Sequence, residues 1–157
     1  MPPRTICASL DNVRLGCGEP GHIPSLSPPP RDHEDLNTAF SEGIFPALKD
    51  SGYTAVRVDR VQHNDKIDDK IIAEIRRSGL DIADFTGSKG GVYYEAGFAH
   101  GLGLPVIFTV REDDVSRLHF DTRQYNHIVW ETPAHLRELL HDRVAATLGS
   151  PELHLTL

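Results

Sequence analysis

The sequence predicts one α/β domain built on a parallel sheet with helices on both faces. Three observations predict it. Short β-branched runs alternate with stretches of helical period from Glu34 onward, glycine or proline marks the helix ends, and the residues able to do chemistry cluster just after the strands. Strands and helices alternating at this length form right-handed βαβ crossovers, which cover both faces of a parallel sheet.

Arg4–Leu10 is the one candidate for a first strand, and a poor one, because its apolar pattern is short. After it, residues 16–32 read GCGEPGHIPSLSPPPRD, too dense in Gly, Pro and Ser to sustain helix or ladder hydrogen bonds. Residues 1–33 are therefore expected to be an irregular arm and 34–157 the folded domain. In Glu34–Ser51, Leu36, Phe40, Ile44, Ala47 and Leu48 recur at helical spacing, while Gly43 and Pro46 predict a bend. Tyr53–Val58 reads as a strand running into a polar loop. A helix follows over Asp65–Ser78, where Ile67, Ile71, Ile72 and Ile75 form a stripe that stops at Gly79. Leu80–Phe85 is a strand, Gly90–Gly103 a helix, Leu104–Val110 a buried strand and Asn126–Trp130 a further strand. Pro133–Leu148 closes the chain as a helix with proline in its first turn.

The 157 residues, 39% of them hydrophobic, suffice for one core. A net charge of -7 gives no positive field for extended nucleic acid or an anionic membrane surface, but leaves a single nucleotide as a possible ligand. No apolar run approaches the roughly 20 residues that cross a bilayer, and the Met1–Arg4 start lacks a signal peptide's apolar stretch, so a cytoplasmic location is expected. Cys7 and Cys17 read as reduced thiols, and His63, His100, His119 and His127 have no metal-ligand spacing, so neither metal nor cofactor is expected.

In such sheets ligands bind beyond the carboxyl ends of the strands. The densest cluster of candidates runs from Ala83 to His100. Asp84 ends a strand, Gly90 and Gly91 offer bare amides, and Glu95 is expected within the first turn or so of the next helix, where the helix dipole keeps a carboxylate ionised. An ionised carboxylate in a pocket is a nucleophile or a stabiliser of positive charge, the two roles glycosidic chemistry needs at the anomeric carbon. The plainer reading makes Glu95 a helix-start carboxylate chosen for the dipole alone. Ala96, Gly97, Ala99, Gly101 and Gly103 are expected to let the helix lie close to the sheet.

Asp84 can contact a base or protonate it as it leaves, or simply cap the Thr86–Gly90 turn. Thr86 and Ser88, with the amides of Gly90 and Gly91, make a phosphate cradle, although the turn calls for glycine with or without a ligand. Of Tyr93 and Tyr94, one packs in the core and the other is free to stack on a base or ribose. Asp59 and His63 sit in another strand-end loop, and Leu118–Asn126 is long enough to fold over a site, with Asp121 and Arg123 expected to pair with each other.

These residues carry a resemblance. The order Asp84-Phe-Thr-Gly, then Gly91-Val-Tyr-Tyr-Glu95-Ala-Gly-Phe-Ala-His-Gly-Leu-Gly-Leu-Pro-Val-Ile107, resembles the nucleoside 2-deoxyribosyltransferase-like superfamily. Residues 40–149 look like a bacterial branch of it that shares the Arg57-Val-Asp59 strand end and the His119-Phe-Asp-Thr-Arg-Gln-Tyr-Asn-His127 loop. The resemblance implies a flavodoxin-like (Rossmann-like) three-layer domain with about five parallel strands, Glu95 as nucleophile and Asp84 beside the base. Tyr94, Thr86, Ser88, Gly90, Gly91, Asp59 and Asp121 would then bind substrate. The implied reaction is N-glycosidic cleavage or 2-deoxyribosyl transfer on a nucleoside or nucleoside 5′-monophosphate, in a homo-oligomer. Two departures stand out. Lys89 replaces the second aspartate that the transferases carry six residues before the nucleophile, which favours a phosphate, and residues 1–30 do not match the family's first strand and sugar-contacting loop. A rival likeness is to Toll/interleukin-receptor-like domains that sense nucleotides or cleave NAD; a third reading is a non-catalytic nucleotide-binding or interaction module.

Overall fold

A computed structural model describes residues 5–9, 31–57 and 67–148. Within them a five-stranded parallel sheet has the order β2-β1-β3-β4-β5, with β1 at Thr5–Ser9, β2 at Thr54–Arg57, β3 at Asp81–Asp84, β4 at Val106–Arg111 and β5 at Ile128–Trp130. That order is the flavodoxin-like form of the doubly wound sheet. Thr5–Ser9 takes the poor first-strand pattern into the sheet because β1 has a strand on each side, which satisfies its backbone, and because Ile6 and Ala8 are wholly buried. Residues 10–30 lie outside the described residues.

Helix α1 (Arg31–Thr38), a π-helical segment (Ala39–Ile44) and α2 (Phe45–Asp50) run on from one another, and the last two pack with α5 (Pro133–Leu148) on one sheet face. Their core joins Ile44, Ala47, Leu48, Leu136, Leu140 and Val144 to Ile6, Ala8, Ile82, Ile107, Ile128 and Trp130. The expected bend is the π-helical segment. It spaces the backbone ahead of Pro46, which enters in the first turn of α2 and has no N–H to give a regular helix.

On the other face lie α3 (Ile67–Arg77) and α4 (Gly90–Gly101), with Ile71, Ile75 and Ala99 between them. Helix α4 ends as a Schellman motif. Gly103 is left-handed at φ 77°, its N–H donates to His100 O at 2.9 Å and Leu104 N–H donates to Ala99 O at 3.1 Å. Between β4 and β5 no α-helix intervenes; a 3₁₀ helix (Glu112–Arg117) and a loop complete that layer instead. Phe85, Phe108 and Tyr125 stack in parallel there, at 5.4 and 4.5 Å between centroids. No helix of the described residues is long and apolar enough to cross a membrane.

Candidate functional site

Strand β1 leads towards helices on one face and β3 leads into α4 on the other, so the crevice of this sheet lies at the carboxyl ends of the adjacent β1 and β3. Asp84 is the last residue of β3 and is 0% exposed. Its Oδ1 accepts the Thr86 N–H at 2.9 Å, and its Oδ2 accepts the Thr109 hydroxyl at 2.6 Å and the Trp130 indole N–H at 2.9 Å. A carboxylate is tolerable at this depth because three donors replace water. Of its two readings, the geometry realises the turn cap, through the Thr86 N–H, and three of the carboxylate's acceptor sites are taken by protein donors.

The next residues are committed to the protein as well. Thr86 is buried and its hydroxyl accepts the Arg111 N–H at 2.9 Å. The Gly87 N–H donates to Asp114 Oδ2 at 2.9 Å, and the Ser88 hydroxyl donates to Arg117 O at 2.9 Å. Gly87 and Ser88 are both left-handed, at φ 78° and 51°, and a Cβ at Gly87 would stand 3.0 Å from Lys89 Cε. In the expected cradle the Ser88 proton is already given to Arg117 O and Thr86 is fully buried, so what remains open is the start of α4 at Gly90 and Gly91, where no side chain caps the helix.

Lys89 is still extended, at ψ 127°, so α4 begins at Gly90 and Glu95 is its sixth residue. That corrects the first-turn placement. The unpaired amides belong to the first four residues, and the dipole's influence fades beyond them. Glu95 is instead buried within the helix's packed stripe: it is 3% exposed and shares that stripe with Val92, Ala96 and Ala99. The small-residue expectation divides accordingly. Ala96 packs with the sheet residues Ala83 and Phe108 and Ala99 packs with Ile71 and Ile75 of α3, whereas Gly97 and Gly101 are exposed and have nothing within 4 Å of an added Cβ.

Tyr93 is the packed tyrosine, edge-on to Phe85 at 4.7 Å, and its hydroxyl accepts the His119 N–H at 3.2 Å. Tyr94 is 60% exposed. Since Tyr93 and His100 meet the 118–127 loop, Glu95, two residues and about 200° beyond Tyr93, lies on the opposite flank of α4. The loop thus runs down the face of the sheet and does not close over Glu95. In it Asp121 lies 3.2 Å from His119 Nδ1, and Arg123 donates to the carbonyls of Leu118 and Ser116 at 2.9 and 3.0 Å; the expected pair of Asp121 with Arg123 does not form. Asp59, His63 and Cys17 lie outside the described residues.

Two open grooves lie elsewhere. One of about 450 Å³ is lined by residues including Glu42, Arg137 and His141, and one of about 600 Å³ by residues including Leu118, Tyr125, His127 and Val129; Glu95 lines neither. Among the described residues no three His, Cys, Asp or Glu side chains are grouped to hold a metal ion.

Sequence reasoning missed Arg111 and Asp114. Arg111 is held to Asp35 and Asp113 at 2.6 Å each, and the Asp113 hydrogen bond raises its pKa against the effect of burial. The only signal was the position of Arg111 at a strand end.

No protein-family model matches the chain, and no curated protein does. Among solved structures it is similar to a 2-desoxiribosyltransferase from Leishmania mexicana. The two are 19% identical with a TM-score of 0.48, over 69% of this chain and 65% of that one, so the match spans less than two thirds of that protein's length.

Proposed function

We propose that the chain cleaves the N-glycosidic bond of a nucleoside or nucleoside 5′-monophosphate and passes the sugar to water or to another base. One observation carries this reading: Glu95, only 3% exposed, is buried on a helix that packs on both β1 and β3. The motif around it supports the same chemistry. In the reaction, a Glu95 oxygen bonds to the anomeric carbon or stabilises positive charge there as the carbon–nitrogen bond breaks. The base leaves with the electron pair and takes up a proton; water or a second base then bonds to the anomeric carbon, releasing Glu95 and giving up a proton of its own. Asp84 acts by holding the turn ahead of α4, the role its three hydrogen bonds support. Tyr94, open to solvent, remains free to meet a substrate ring. A homo-oligomer belongs to the same reading, and sedimentation of the purified protein tests it.

The experiment is a chromatographic screen of purified protein against nucleosides, their 5′-monophosphates and NAD. Release of free base over many turnovers is expected, with Glu95→Gln at least about a hundredfold slower. Tight nucleotide binding without release, or release that Glu95→Gln leaves untouched, would overturn the reading; the first would point to a sensing module.

A further inference from the structure

The turn between β3 and α4 is fastened at three successive residues to the segment that ends β4. Thr86 pairs with Arg111, Gly87 with Asp114 and Ser88 with Arg117, each at 2.9 Å. Residues 111, 114 and 117 are three apart, and Glu112–Arg117 is a 3₁₀ helix, in which residues three apart stand above one another. Two of the partners, Asp114 and Arg117, thus stand on one face of a short helix, and the third, Arg111, ends β4 immediately ahead of it.

Asp114 is the centre of the clasp and is 4% exposed. Its Oδ2 takes the Gly87 amide, its Oδ1 takes Arg117 Nη1 at 2.9 Å, and Arg111 Nη2 stands 3.9 Å away. Burying this carboxylate requires such partners. The turn in return has two consecutive left-handed residues, and for Ser88 that conformation is unfavourable unless its surroundings impose it. The start of α4 follows two residues later, and Glu95 five residues after that.

We propose that Asp114 is a positioning residue: by holding the Gly87 amide it fixes where α4 begins and so where the Glu95 carboxylate stands. The proposal rests on the reading of Glu95 given above. A small misplacement of a reacting group lowers the rate of the chemical step more than it lowers binding.

The test compares wild type, Asp114→Ala and Asp114→Asn, well below their melting temperatures, by base-release kinetics and by amide hydrogen exchange. Asp114→Ala is expected to lower kcat by roughly tenfold or more with KM within about twofold, and to speed exchange at Gly87 and at Tyr94–Ala96 by a similar factor. Asp114→Asn keeps an oxygen for the Gly87 amide at the cost of the Arg117 bond, and should recover part of both losses. Wild-type kcat in Asp114→Ala, or wild-type exchange at those amides, overturns the proposal, and so does an Asn variant no better than Ala. A wild type that releases no base defeats the reading of Glu95 instead, and exchange alone then decides whether Asp114 sets the start of α4.

Discussion

His127 sits edge-on to Phe85 and Phe108 at 5.6 and 5.4 Å, with Nδ1 2.9 Å from Tyr125 O and Nε2 buried without a hydrogen-bond partner. Burial lowers its pKa below the ordinary 6.5, although the Tyr125 carbonyl and the Asp84 charge pull the other way. The folded ring therefore binds a proton less readily than the unfolded one. As pH falls below about 6.5, the unfolded chain gains protons first, so stability drops until the lower folded pKa is passed. Urea midpoints at about pH 7.5 and about pH 5 are expected to differ more for wild type than for His127→Phe; equal declines would show that His127 does not carry the effect. At this scale the sequence is legible only in part. It places Asp84 at a strand end and offers both of its roles, but cannot show that Thr109 and Trp130, 25 and 46 residues on, bring their donors to one carboxylate. Asp114 is hidden for the same reason: in the run Glu112-Asp113-Asp114 nothing marks which carboxylate turns inward.

Glycines at comparable places in helices have opposite reasons to be there. Gly43, in the π-helical segment, lies close against α5: a Cβ would stand 3.0 Å from the Pro133 carbonyl oxygen and 3.2 Å from Leu136 Cδ2. The carbonyl belongs to backbone and cannot swing aside. Gly43→Ala is thus expected to destabilise by about 1 to 3 kcal/mol, overpacking outweighing the better helix former. Gly97, exposed in the middle of α4, has open space around it, and Gly97→Ala is expected to stabilise by roughly 0.5 to 1 kcal/mol. Chemical denaturation of the two variants checks the pair, and two shifts of the same sign would refute the argument. Helical period and end signals made α2 and α5 legible, α5 to the residue. The period of Leu36, Phe40 and Ile44 does not reveal that the turn between them is π-helical, since that depends on how Pro46 and the neighbouring helix are accommodated.

The molecule as a whole is unequal in its two outer layers. One face is closed by long helices, the other by α3, α4 and an aromatic stack in place of a last crossover helix. Alternation of strands and helices predicts the layers, but the 112–127 connection has no apolar stripe to announce how it packs. Beyond the bonds that tie Asp114 and Arg117 to the turn after β3, its hold rests on Leu118, on the Tyr125 ring lying 4.5 Å from Phe108 and on His100 set edge-on at 5.8 Å. Tyr125→Ala removes the outer ring of that stack. A half-buried ring in such a place contributes about 2 to 3 kcal/mol, which should appear as a lower urea midpoint at unchanged slope. The loss should also be local before it is global. Limited proteolysis of the variant is expected to cut first within residues 112–127, where backbone hydrogen bonds are sparse, while α5 and the helices packed against it stay protected by their shared core. Cleavage that begins in α5 would mean that the two faces come apart together, and that the stack is not what secures the thinner layer.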